Sequence, residues 1–266
     1  MHHDVGELSD FYAQPLGIAV RRLLTHRLRA RWRNVRGETV IGLGYAPPFL
    51  GPYHDEALRV GAIMPATQGA IVWPREGDKL TVLADEEHLP LADNSVDKLL
   101  AVHCLETAGQ VRPLLREIWR VLSPQGRIML IVPNRRSIWA RSDNTPFGHG
   151  RPYSRGQLER LFDEAMFTTT GWQYALHAPP IGHHLVLRYV TGLERVGSML
   201  WPGIGGVIMV EGRKELLAPT GRLKTATAMG RLVTVPAPKS ARGSAAHTIN
   251  RNPAARRNRQ SRLPRP

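Results

Sequence analysis

His103 ends the apolar run Val96–Val102 and is followed at once by Cys104, Leu105 and Glu106. An imidazole titrates near neutral pH, so a histidine at such a place suits a general base, or else a hydrogen-bonded strand end. His149 is a second candidate base, in the polar connection Asn134–Ser154. That connection also carries Arg151 and Tyr153, which suit an anionic or aromatic substrate, with Trp139 and Phe147 as walls. Asp85, with Glu86 behind it, closes a further apolar run and offers a hydrogen-bond acceptor. Gly42 and Gly44 punctuate a third run, where absent side chains let backbone approach a ligand. Cys104 is the lone cysteine, so neither an internal disulfide nor a Cys-based zinc site is expected. His183 and His184 would point to opposite faces of a strand, and no metal is expected there.

The elements that must position these residues alternate in type. Strands are predicted at Thr39–Gly44, Gly61–Met64, Lys79–Asp85, Val96–His103 and Gly126–Pro133, with closing strands around Leu185–Val190 and Val207–Glu211. Helices are predicted near His54–Val60, over Val111–Val121, and over Arg155–Phe162 behind a Tyr153-Ser154 cap. Gln14–Arg36 reads as a basic amphipathic helix packed on its own domain with an arginine face outward. Strands alternating with helices imply an α/β fold, a mostly parallel sheet flanked by helices. Ligands of such sheets bind beyond the carboxyl ends of the strands, where Gly44, Asp85 and His103 fall.

The chain has 266 residues, with 36 Lys+Arg against 22 Asp+Glu. From Pro219 to Pro266 there are 11 basic residues and no acid or aromatic. That composition predicts a disordered basic tail at 219–266 behind a folded domain at 1–218, whose sheet core spans about 38–212. The tail could hold nucleic acid by counterion release, or serve only to solubilise. No apolar run is long enough for a transmembrane helix, and no leader is visible at Met1–Glu7, so the expectation is cytoplasmic.

The segment Asp85-Glu86-Glu87-His88-Leu89-Pro90-Leu91-Ala92-Asp93-Asn94-Ser95-Val96-Asp97 closely resembles a hallmark of class I S-adenosylmethionine-dependent methyltransferases, of the type 11-like kind. Leu115-Arg116-Glu117-Ile118-Trp119-Arg120-Val121-Leu122-Ser123-Pro124-Gln125-Gly126-Arg127 looks like the same family's helix-to-strand turn. The resemblance covers roughly Glu38–Phe167. It implies a Rossmann-like fold, S-adenosylmethionine as cofactor, methyl transfer to an unidentified acceptor, and a donor site including Gly42, Gly44, Ala46, Gln68, Asp85, Glu86 and His103. It also implies that Asp85→Ala weakens donor binding at least tenfold.

The first glycine loop departs from the family's acid and G-x-G-x-G. Gly42 stands where the acid would be, Ala46 and Pro48 replace two glycines, and the prolines remove N–H donors. Near Met64–Gln68 the ribose-binding acid is missing, with Gln68 as a neutral substitute. These losses leave open an inactive binding or scaffolding module of the same fold. The acceptor, the oligomeric state and the role of the tail are not legible in the chain.

Overall fold

β1 (Thr39–Gly44), β2 (Arg59–Pro65), β3 (Thr81–Ala84), β4 (Val96–Val102) and β5 (Leu122–Pro133) are mostly runs of Val, Ile, Leu and Ala. Near-continuous apolar runs are what strands covered on both faces require. In the computed structural model, which describes residues 4–182 and 189–215, these five strands lie parallel. β7 (Val207–Lys214) inserts antiparallel between β5 and β6 (Phe167–Ala175), giving the order β3-β2-β1-β4-β5-β7-β6. The described residues belong to one unit of the chain, Met1–Thr220. None of their helices is long and apolar enough to cross a membrane.

The two-residue period of each strand feeds two separate cores. Val40, Met64, Leu100, Val102 and Met129 pack under α1 (Val5–Ala13), α2 (Pro15–Arg31) and the short α3 (Pro47–Leu50). Ile41, Leu43, Ile63, Leu99 and Ala101 face the other way, against α4 (Val111–Val121) and α5 (Arg155–Glu164). A further helix, α6 (Val190–Leu200), precedes β7.

The helix expected at 14–36 forms as α2 over Pro15–Arg31, a second helix, α1, precedes it, and the break between them has a local cause. Gln14 takes extended backbone before Pro15, and Pro15 opens α2 at a position where its missing N–H is no loss. Gly17 then lets α2 close on α1: a Cβ there would lie 1.9 Å from the Phe11 carbonyl oxygen. The helix expected at His54–Val60 forms earlier, over Pro47–Leu50 with a 3-10 turn at Gly51–Tyr53, because the prolines nucleate it sooner. Leu185–Arg188, expected as strand, lie outside the described residues, and Val190 begins a helix. β6 carries no strand signal in the sequence, because its run Thr-Thr-Thr-Gly-Trp is only part-buried and lacks apolar alternation.

α5 begins as predicted. Ser154 accepts from the Gln157 N–H, and the Gln157 side chain accepts from the Ser154 N–H, a capping box. Ser154→Ala is expected to cost about 1 kcal/mol in a urea unfolding titration.

Candidate active site

Gly44 is the last residue of β1 and holds φ +74°. A Cβ at that position would sit 2.4 Å from the Val102 carbonyl and 2.8 Å from the Cys104 Cβ, so the turn is pressed against the end of β4. Gly42 has the same tightness toward Ala46 and Leu50 of the following turn and helix. Both glycines are therefore needed for close packing between elements. Beside Gly44 stands His103, with φ +48°, a left-handed conformation that a non-glycine residue adopts at a cost and that clusters at functional sites. Its carbonyl accepts from Gln68 Nε2 at 2.9 Å, and Gln68 is itself buried after β2. Gly44, Gln68 and His103 thus meet at the carboxyl ends of three adjacent strands.

α1 lies over this junction. The backbone of its first residue, Val5, donates to the Gln68 carbonyl, and Tyr12 Oη lies 2.8 Å from His103 Nε2. The Tyr12 ring stacks on Tyr45 at 5.5 Å, and Phe147 packs 4.9 Å from the imidazole. On the other side of His103, Nδ1 faces Glu106 Oε1 at 3.2 Å, and both side chains are only 2 % exposed. The pair lacks the alignment of a hydrogen bond, and neither Glu106 oxygen has a hydrogen-bond partner. Tyr12 Oη donates to Nε2 in the tautomer that carries the imidazole proton on Nδ1. Burial, then the neighbouring Tyr45 and Glu106, push the Tyr12 hydroxyl well above the ordinary phenol range, so Tyr12 stays a donor. Burial likewise pushes up the Cys104 thiol, which makes it a packed residue rather than a nucleophile.

Other expected site residues lie elsewhere. Asp85 is exposed beyond β3, where Oδ1 accepts from the Glu87 N–H at 2.9 Å and Oδ2 lies 3.1 Å from His88. Those two contacts hold its carboxyl below the usual range. Glu86 accepts from the Gly109 N–H. Ala46 is fully buried as the cap of α3. Trp139 is buried, donates to the Ala178 carbonyl and packs on Phe147, so it braces the aromatic cluster. His149 Nε2 lies 2.9 Å from the Asp143 carbonyl oxygen. Arg151 and Tyr153 line a separate cavity beside α5. Burial, then Glu106, push the Tyr153 hydroxyl up to about 12.

Two residues at the centre went unassigned from sequence, Tyr12 and Glu106. Glu106 stands three residues past His103, close enough for a tight turn to fold it back. Tyr12 belongs to a Leu8-Phe11-Tyr12 pattern of helical spacing that lies outside the helix expected at 14–36.

A family model described as a methyltransferase domain matches residues 54–130. The solved structure of a SAM-dependent methyltransferase from Thermotoga maritima shares 19 % identity at a TM-score of 0.54, covering 79 % of this chain and 96 % of that one. This is the class I methyltransferase fold. Geranyl diphosphate C-methyltransferase from Streptomyces coelicolor, solved with S-adenosyl-L-homocysteine, matches at 16 % identity and a TM-score of 0.51, over 72 % of this chain and 76 % of that one. The [4+2]-cyclase SpnF matches at 19 % identity and a TM-score of 0.50, over 72 % and 80 % of the two chains. At such identities the likeness is one of fold. No curated protein matches the sequence. Within the methyltransferase fold, the junction of Gly44, Gln68 and His103 occupies the strand ends where ligands of parallel sheets bind.

Proposed function

We propose that this chain is an S-adenosylmethionine-dependent methyltransferase whose donor site is the junction at the ends of β1, β2 and β4. The supporting observation is polar. Both oxygens of Glu106 and Oε1 of Gln68 are buried there without a hydrogen-bond partner. Each such orphan costs about 1–3 kcal/mol, and a pure packing role would have replaced these groups by apolar ones. Uncommitted acceptors suit a cationic ligand rich in N–H and O–H donors. S-adenosylmethionine, with its sulfonium, ammonium and ribose hydroxyls, is such a ligand, so the residues fit it. When bound it supplies an activated methyl on a built-in leaving group.

The chain's own residues then have defined tasks. Glu106 and Gln68 hold donors of the ligand, and Gly44 keeps the turn after β1 tight against β4. Asp85, exposed at the end of β3, offers a carboxylate for an amino group. His103 Nε2, bonded to Tyr12 Oη, is the place where an acceptor proton would be taken once the acceptor replaces the tyrosine hydroxyl. α1, with Phe11 and Tyr12, excludes water from that place.

Calorimetric titration with S-adenosylmethionine and with its demethylated product tests the proposal. Both are expected to bind saturably. Glu106→Gln should weaken binding about tenfold, the scale of losing one charge-assisted contact. Millimolar ligand that gives neither heat nor a melting shift would sink the reading. A binding or scaffolding module would then take its place, and SpnF already shows that this fold serves other chemistry.

A further inference from the structure

We propose that the cavity between α4, α5 and the Gly150–Tyr153 segment is a binding site for the phosphate or diphosphate group of a small molecule. The cavity has a volume of about 460 Å³, the size of a site for one small ligand. Four guanidinium groups line it, from Arg112, Arg135, Arg151 and Arg160, against a single carboxylate, Glu164. Arg112 Nε pairs with Glu164 Oε2 at 2.9 Å, and that one carboxylate also acts on Arg160 without touching it. Arg135, Arg151 and Arg160 make no salt bridge among the described residues. Gathering like charges in one concavity is unfavourable unless an anion is to be held there.

Two further features point the same way. α4 begins at the cavity wall with Val111 and Arg112, and its first turn has neither a side-chain cap nor an acid. Pro113 has no N–H and the Leu114 N–H bonds the Gln110 carbonyl, so the Val111 and Arg112 N–H groups and the positive end of the dipole are what is left for an external anion. Gln157 spends Oε1 on the capping box of α5, which leaves its NH2 as a neutral donor on the same wall. Planar forks of this kind pair bidentately with phosphate oxygens, and several converging forks match a group with many oxygens better than a single carboxylate. Two hydrogen bonds fix the cavity's inner edge to the candidate active site: the Arg151 N–H donates to the Glu106 carbonyl, and Tyr153 Oη donates to the Leu105 carbonyl at 3.1 Å. An anion held there would anchor a substrate whose other end reaches past Glu106. That last link rests on the methyltransferase reading, whereas the binding site itself does not.

The test is calorimetry of the full chain with inorganic pyrophosphate at about 0.1 M salt, where exposed charges more than about 10 Å apart are screened from one another. One submillimolar site is expected. The double variant Arg151→Ala with Arg160→Ala, at exposed positions that leave the melting transition in place, should weaken it at least tenfold. Glu164→Gln, which frees Arg112, should tighten it severalfold. Arg256→Ala with Arg257→Ala, in the basic C-terminal run, should leave it unchanged. Equal affinity in the wild type and the cavity variant would overturn the proposal, as would binding abolished by the C-terminal pair. S-adenosylmethionine is titrated separately, so failure of this site and failure of the donor site are told apart.

Discussion

Gly44→Val is expected to destabilise the whole fold severely rather than to remove a ligand from an otherwise intact protein. The valine Cβ would meet the Val102 carbonyl oxygen at 2.4 Å and the Cys104 Cβ at 2.8 Å, and one of these obstacles is backbone of the central strand. The residue also holds φ +74°, which a β-branched side chain resists. Left-handed strain of about 1–2 kcal/mol and overpacking of about 1–3 kcal/mol add to a loss of about 2–5 kcal/mol. That is a large share of a domain's whole stability. Urea unfolding of the purified variant, or its failure to accumulate as a folded protein, is the measurement. A variant as stable as the wild type would show that the turn yields, and the tight seating of β1 against β4 would then be wrong.

Glu211→Ala carries the second large effect. Glu211 is in β7 and 1 % exposed, yet it accepts from Trp32 Nε1 at 2.9 Å, Arg31 Nε at 2.6 Å and Thr170 Oγ1 at 2.8 Å. These bonds clamp the end of α2 onto the sheet. Removing the carboxylate leaves the buried indole N–H without its acceptor and leaves the Arg31 guanidinium only the Thr170 carbonyl, so the expected loss is about 3–5 kcal/mol. Burial by itself raises the carboxyl, but the bonds from Trp32, Thr170 and Arg31 outweigh it and hold it below its ordinary value. A depressed folded value means that this stabilisation is fully present above the unfolded carboxyl range, near pH 4.3, and fades as pH falls through the folded value. Denaturant titrations from pH 7 down to 3 should show Glu211→Ala losing less stability with acid than the wild type does. Parallel curves would remove Glu211 from the acid response.

Much of this frame was legible because local chemistry wrote it. β1 was placed at its observed bounds because five apolar or glycine residues end in a turn. α4 followed from Leu114, Leu115, Ile118 and Val121, which form one buried stripe. α5 followed from its cap at Ser154. The elements that went astray had weak local signals or rival ones. α1 lies before the helix expected at 14–36, and β6 has three threonines where alternation should be.

Sequence by itself determined the alternation from β1 to α5, the glycine at the end of β1, the exposed acid after β3 and the histidine after β4. Each of these is set by neighbours a few residues away, through periodicity, capping and the φ freedom of glycine. Only the tertiary structure decided what the histidine touches. Tyr12 reaches it across 91 positions because α1 packs over the strand ends, and Glu106 faces it because the chain turns left-handed at His103 itself. The same holds for the four arginines of the second cavity, which come from α4, α5 and the loops after β5. Periodicity tells which residues are buried. Which distant side chain each one meets is fixed by how the layers close on one another, and residue spacing carries no record of that.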